Sequence, residues 1–152
     1  MITLRKSPTA DTRTCDWSTV EKDTLLKASK QHIDDVACAL TFFEDLLEHA
    51  ASHHDHDKLS GIDHFHSDFR TGFKEHGWWD NHRKVNRHHI DKPDGVPEDV
   101  NLIDVLEHVA DCVMAGMARS GDVYPITLPD EVLQRAVKNT VELLQGTIQV
   151  ED

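Results

Sequence analysis

One stretch, from about Val100 to Arg119, constrains the fold more than any other. Leu102, Leu106, Val109, Val113 and Met117 recur at helical spacing. Ile103, Ala110 and Met114 flank that face on one side, and Val105 and Cys112 on the other. Only a narrow stripe is polar: Asp104, Glu107, His108 and Asp111. A helix apolar on almost every side is expected to be buried. Its carboxylates must then find partners inside the protein, because an unpaired buried charge is very costly. A metal ion is one such partner.

The rest of the chain is read as helical too. Ser18-Thr19-Val20-Glu21 has the form of a capping box, so a helix is expected from about Ser18 to Ala50. Its apolar stripe is Leu25, Val36, Ala39, Phe43, Leu46 and Ala50, with His32 in the middle. A second helix is predicted over about Gly61 to His76, with Gly77 as its C-cap, and a short one over Trp79 to Asn86. Asp91 to Glu98, with Pro93, Gly95 and Pro97, is a loop. A last amphipathic helix spans about Pro129 to Gln145. No segment of consequence alternates with period two. The expectation is an all-α, single-domain helical bundle of about five helices over residues 18–152, preceded by an irregular N-terminal arm over residues 1–17.

With 152 residues the chain can bury a core without staples. Cys15, Cys38 and Cys112 show no CxxC spacing, which predicts a reducing cytosol, with Cys38 and Cys112 as small core residues. Residues Met1 to Asp16 lack the apolar core of a signal peptide, and no apolar run approaches the roughly 18 residues of a transmembrane helix. Cytoplasmic placement and no membrane partner are therefore expected. A net charge of −12 argues against duplex nucleic acid. Yet Lys58, Arg70, Lys74, Arg83, Lys84, Arg87 and Lys92 interleave with the histidines, which suits a small anionic substrate.

All but His32 and His108 of the 12 histidines fall between His49 and His89. Read with their carboxylates they form a series: His32, His54-Asp55, His82, His88-His89, Asp111. Imidazole and carboxylate are the ligands of hard or borderline divalent metals. Each residue also has a plainer reading. A lone His on an apolar helix face is more often a hydrogen-bonded core residue, His54-Asp55 can cap a helix, and Asp111 can pair with Arg or Lys. One shared metal accounts for all of them together. Trp78-Trp79 reads as a pocket wall or an association patch, with at least one ring in the core.

The order H…HD…H…HH…D resembles the ligand order of the HD-domain metalloprotein superfamily, especially its HD-GYP-like and diiron branches. His54-Asp55-x-x-Lys58 resembles its HDxxK element. The segments His54-Asp55-x-x-Lys58-x-Ser60, Trp79-x-x-His82-x-x-x-Asn86-x-His88-His89 and Glu107-x-x-Ala110-Asp111 resemble a family of small, mostly phage-encoded proteins of unknown function. That would place the chain in a host cytoplasm. The resemblance implies His32, His54, Asp55 and Asp111 as a four-ligand site. Asp55 would be able to bridge two metals, and His82 with one or both of His88 and His89 would be the extra ligands. It implies Lys58 against a substrate phosphate. The alternative register, His56-Asp57, would not put Lys58 at the HDxxK position.

The chemistry expected from such a site is metal-dependent hydrolysis of a nucleotide or other small phosphoester. The cofactor would be one or two divalent ions (Mn, Fe, Mg, Co or Zn). One or two of Arg83, Lys84 and Arg87 would join Lys58 on the phosphate, and Asp104 or Glu107 would accept a proton. Two other readings stand beside it: a diiron oxygenase, and a non-enzymatic nucleotide- or host-protein-binding protein with a structural metal. His108 is expected to support the ligands. His64, His66 and His76 are expected on the surface of the second helix.

Overall fold

A computed structural model describes residues 1–75, 77–92, 95–123 and 125–151. Helices dominate it, as the periodicity predicts. They are α1 (Lys22–His53), α2 (His56–Ser60), α3 (Ile62–Phe69), α4 (Trp78–Val85), α5 (Leu102–Ser120) and α6 (Asp130–Thr147). Two four-residue strands complete the described elements, β1 (Ile2–Arg5) and β2 (Ile148–Glu151). They pair in parallel, with Ile2 opposite Ile148 and Arg5 opposite Glu151. The arm expected to be irregular thus carries a strand and a 3₁₀ turn over Thr12–Thr14. Four residues are too few to display an alternation, so period-two reasoning misses them.

The chain divides into two compact units. The first holds Met1–Asp45 and Val141–Asp152, and the second Leu46–Thr140. In the first unit, the Gln31 amide donates to the Arg5 carbonyl at 2.8 Å, tying α1 to the end of β1. The predicted start at Ser18 is instead a turn built on Asp16, whose carboxylate accepts from the Ser18 amide and both hydroxyls of Ser18 and Thr19. From Lys22 no glycine or proline interrupts the helix for 32 residues. Its apolar stripe is only partly covered: Leu25 and Val36 are exposed, Ala39, Phe43, Leu46 and Ala50 are half-buried, and Ala28 is the buried position of this helix; Cys38, expected in the core, is exposed. Periodicity tells which face of a helix is apolar, not what covers it.

The second unit has its core at Ile90, Val100, Val105, Val132 and Ala136, with Val96, Leu102 and Leu128 packed against it. Three of these residues lie in the segment between α4 and α5, where proline and glycine predict a loop. Asn139 of α6 pins that loop by donating to the Glu98 and Val100 carbonyls. The α3 helix ends at Phe69, earlier than expected. A turn with Gly72 and Phe73 at positive φ follows, and Gly77 precedes α4 rather than capping α3. His76 and Pro93 lie outside the described residues.

The α5 helix begins at a capping box: the Asn101 side chain accepts from the Ile103 amide and Asp104 accepts from the Asn101 amide. Its polar stripe faces inward as expected, with Asp104 and His108 buried. Its apolar side does not follow. Leu106, Met114 and Met117 are 51%, 68% and 49% exposed. The helix is therefore held by Ile103, Val105 and the polar stripe, and the all-round burial expected of it is not met.

Candidate metal centre

The centre starts at a backbone break. The α1 helix ends at His53 and α2 begins at His56. Between them Asp55 takes the left-handed conformation, with φ of 52°. Side chains other than Gly, Asn and Asp seldom adopt it, and such positions cluster at functional sites. The break turns the His54 ring and the Asp55 carboxylate toward His82 of α4, toward His88 and His89 beyond it, and toward Glu107 and Asp111 of α5.

Two sets of ligand atoms converge. One is His54, Asp55 and His88; the other is Asp55, His82 and His89. Asp55 belongs to both. Its Oδ1 lies 3.3 Å from His82 Nε2 and 3.6 Å from His88 Nε2. Its Oδ2 lies 3.6 Å from His54 Nε2. Asp111 Oδ1 is 3.7 Å from His54 Nε2, and the Nε2 atoms of His82 and His89 are 2.9 Å apart. Ligands bonded at about 2.1 Å to a common ion, at angles of about 90–125°, stand about 3.0–3.7 Å from one another. The separations fit that range.

The opposite edges of the rings are held by carboxylates. Glu107 Oε1 accepts from Nδ1 of both His54 and His88, at 2.9 Å each. Asp57 accepts from His82 Nδ1 at 2.9 Å and also from the Asn86 amide. A carboxylate can only accept, so these contacts keep the proton of a neutral ring on Nδ1 and turn the Nε2 lone pair to the centre. His108 supports the next layer, its Nδ1 2.9 Å from the His88 carbonyl. Trp78, 3% exposed, stacks on His82 with ring centroids 4.6 Å apart.

Two buried polar atoms lack a hydrogen-bond partner among the described residues: Asp55 Oδ1 and His88 Nε2. Both point into the centre. Orphaned buried acceptors and donors are rare in folded proteins, so the pair marks a place for something with positive charge. These buried His and Asp groups can hold a metal ion.

Charges in the centre interact strongly. Burial works to raise the Asp55 pKa, but the Lys58 ammonium, bonded to Oδ2, outweighs it and holds the carboxyl below its ordinary value. Burial likewise opposes the charge on Glu107, and the His88 and His54 hydrogen bonds win, lowering its pKa. For His88, burial favours the neutral ring, but Glu107, Asp55 and Asp111 raise its pKa. His89 is pushed down to about 4 by burial and by the neighbouring His88 and His82 charges. It therefore stands neutral.

The structure brings His54, Asp55, His82, His88, His89 and Asp111 together, with Lys58 and Glu107 against them. His32 belongs to the first unit, where its Nδ1 lies 3.2 Å from Asp11 Oδ2. Arg87 is engaged elsewhere: it donates to both oxygens of Asp104, at 2.8 and 2.9 Å, and to Asp99. Asp104 is thereby an ion-pair and capping residue. Lys84 is exposed on α4. Arg83 lines a cavity of about 490 Å³ together with Trp79, Lys92, His89 and Asp111. His64 and His66 are exposed, as expected for surface residues of α3, and so is His56 of the alternative register.

Sequence reasoning missed the orienting roles of Asp57 and Glu107 and the cavity position of Lys92. Asp57 had a signal, the second HD pair of the alternative register. Glu107 had one as well, since it lies one turn before Asp111 on the same polar stripe. Lys92 had none beyond its place among the basic residues. Compared with known proteins, the chain matches no family model, no curated protein and no solved structure. Among the described residues no helix is long and apolar enough to cross a membrane.

Proposed function

We propose that the chain is an HD-like metal-dependent phosphohydrolase acting on a nucleotide or other small phosphoester. The observation that carries this reading is the carboxylate of Asp55 shared by two histidine sets, with its buried Oδ1 and the His88 Nε2 left without partners. His54, Asp55, His88 and Asp111 would hold one divalent ion, and Asp55, His82 and His89 a second. Bound there, such ions supply Lewis-acid charge and lower the pKa of water.

The remaining work falls to the chain. Arg83 and Lys92 line the cavity that ends on His89 and Asp111, and supply the positive charge a phosphate needs. Trp79 offers that cavity an aromatic wall. Lys58 neutralises one side of Asp55 and leaves Oδ1 to the centre. Glu107 and Asp57 hold the rings so that ligation costs little reorganisation. Hydrolysis adds one water across the P–O bond and yields phosphate and an alcohol, with no oxidant or reductant required.

The test begins with metal content of the purified protein. A screen of nucleoside mono-, di- and triphosphates and simple phosphomonoesters with Mn, Fe, Mg, Co and Zn follows. Release of phosphate that depends on added metal and disappears in Asp55→Ala is the expected result. Metal bound tightly without turnover of any ester would favour a binding protein with a structural metal. Turnover that requires iron and dioxygen would favour an oxygenase.

A further inference from the structure

A second cavity also reaches the centre, and its chemistry is different. It has a volume of about 330 Å³ and ends on His54, Glu107 and Asp111. Its walls are Leu47, Ala50 and Ala51 from the end of α1 and Leu106, Ala110 and Met114 from α5. No Lys or Arg lines it. Three of the six wall residues are alanine, and these small side chains are what leave room between the two helices. The cavity has the size of a small-ligand site and the usual make-up of one, apolar walls with a few polar groups at one end. Both cavities share Asp111. One therefore offers cations and the other carbon surface to a molecule seated at the same centre.

We propose that this alanine-lined cavity binds an apolar substituent of the substrate, so that the molecule turned over is a small phosphoester of an aryl or alkyl alcohol. The inference rests on the phosphohydrolase reading for its reaction but not for its binding. A charged or heavily hydroxylated group placed there would lose water without gaining partners, whereas an aryl or alkyl group gains by leaving water. In the reaction, water adds to phosphorus, the P–O bond to the substituent breaks, and the alcohol leaves with a proton from that water.

Phenylphosphonate and methylphosphonate, which cannot be hydrolysed, separate binding from turnover. Their affinities for the Mn-loaded protein are measured by calorimetry, in the parent and in Ala110→Leu and Ala51→Leu. Both alanines are solvent-exposed, so leucine there displaces no buried neighbour. The parent is expected to bind the phenyl compound at least about tenfold more tightly, a ratio within the worth of one buried ring. Each leucine variant is expected to bring the ratio close to one while keeping the parent's Mn content. Equal affinities in the parent, no binding of either compound, or an unchanged ratio in both variants would overturn the inference. Turnover of phenyl and methyl phosphate is then compared. A phenyl preference in binding without hydrolysis of either ester sinks the hydrolase reading and leaves the apolar subsite standing. Hydrolysis of both esters with no phenyl preference does the reverse.

Discussion

The two halves of the histidine cluster differ in what stands behind the rings. His54 and His88 share one carboxylate, Glu107, so a single residue fixes the aim of two ligands. In the other half, His82 has Asp57 and a stacked Trp78, while His89 accepts no support from a carboxylate among the described residues. Negative charge behind an imidazole raises its basicity as a ligand. On the proposed reading, the His54–His88 half would hold an ion more tightly than the His82–His89 half, which lies next to the cavity lined by Arg83 and Lys92. The contrast would then give the proposed centre one firm and one exchangeable position.

Substitutions can break the comparison in order of effect. Asp55→Ala removes the one ligand common to both halves; metal stoichiometry should fall to near zero and phosphoester turnover by about a thousandfold. Mass-spectrometric metal analysis of the purified variant checks this. Glu107→Gln should weaken the tighter metal site by about a hundredfold, the upper end for loss of an orienting partner, because two rings lose their aim at once. Asp57→Asn should cost the weaker site about tenfold, and His89→Gln should lower its occupancy without disturbing the tighter one. Titration calorimetry with Mn resolves the two sites. Equal losses in Glu107→Gln and His89→Gln would show the halves to be equivalent.

The smallest effect concerns stability rather than affinity. At φ of 52° a glycine carries none of the steric cost an L residue does. Metal-free Asp55→Gly should therefore melt no lower than the parent, with a gain of up to about 1 kcal/mol, while binding no metal. Thermal unfolding followed by circular dichroism measures it, and a marked loss of stability would show that Asp55 holds the α1–α2 break together.

The helices were legible because their periods are long, although the capping box at Ser18 and the C-cap at Gly77 were misplaced. The ends of α4, α5 and α6 fall within a few residues of expectation. The polar stripe of α5 also pointed inward as its chemistry requires. What periodicity could not give was cover: the apolar sides of α1 and α5 look like core faces in sequence and are only partly covered. Residue type and order singled out His54, Asp55, His82, His88, His89 and Asp111, which meet in the centre, and also His32, which lies in the first unit against Asp11. Sequence order could not say that Arg87 spends its guanidinium on Asp104, since a cation near a predicted site reads the same whether or not an acid claims it. Nor could it show Glu107 reaching two histidines, because His54 and His88 are far apart along the chain and meet only in the fold.

Trp78 stacks directly on His82, and Trp79 lies with its ring centroid 5.3 Å from the same imidazole. The third tryptophan, Trp17, is 92% exposed. The molecule thus carries its own optical gauge. Emission from these two indoles should dim when a paramagnetic ion such as Mn or Co arrives beside His82, and should change far less with diamagnetic Zn.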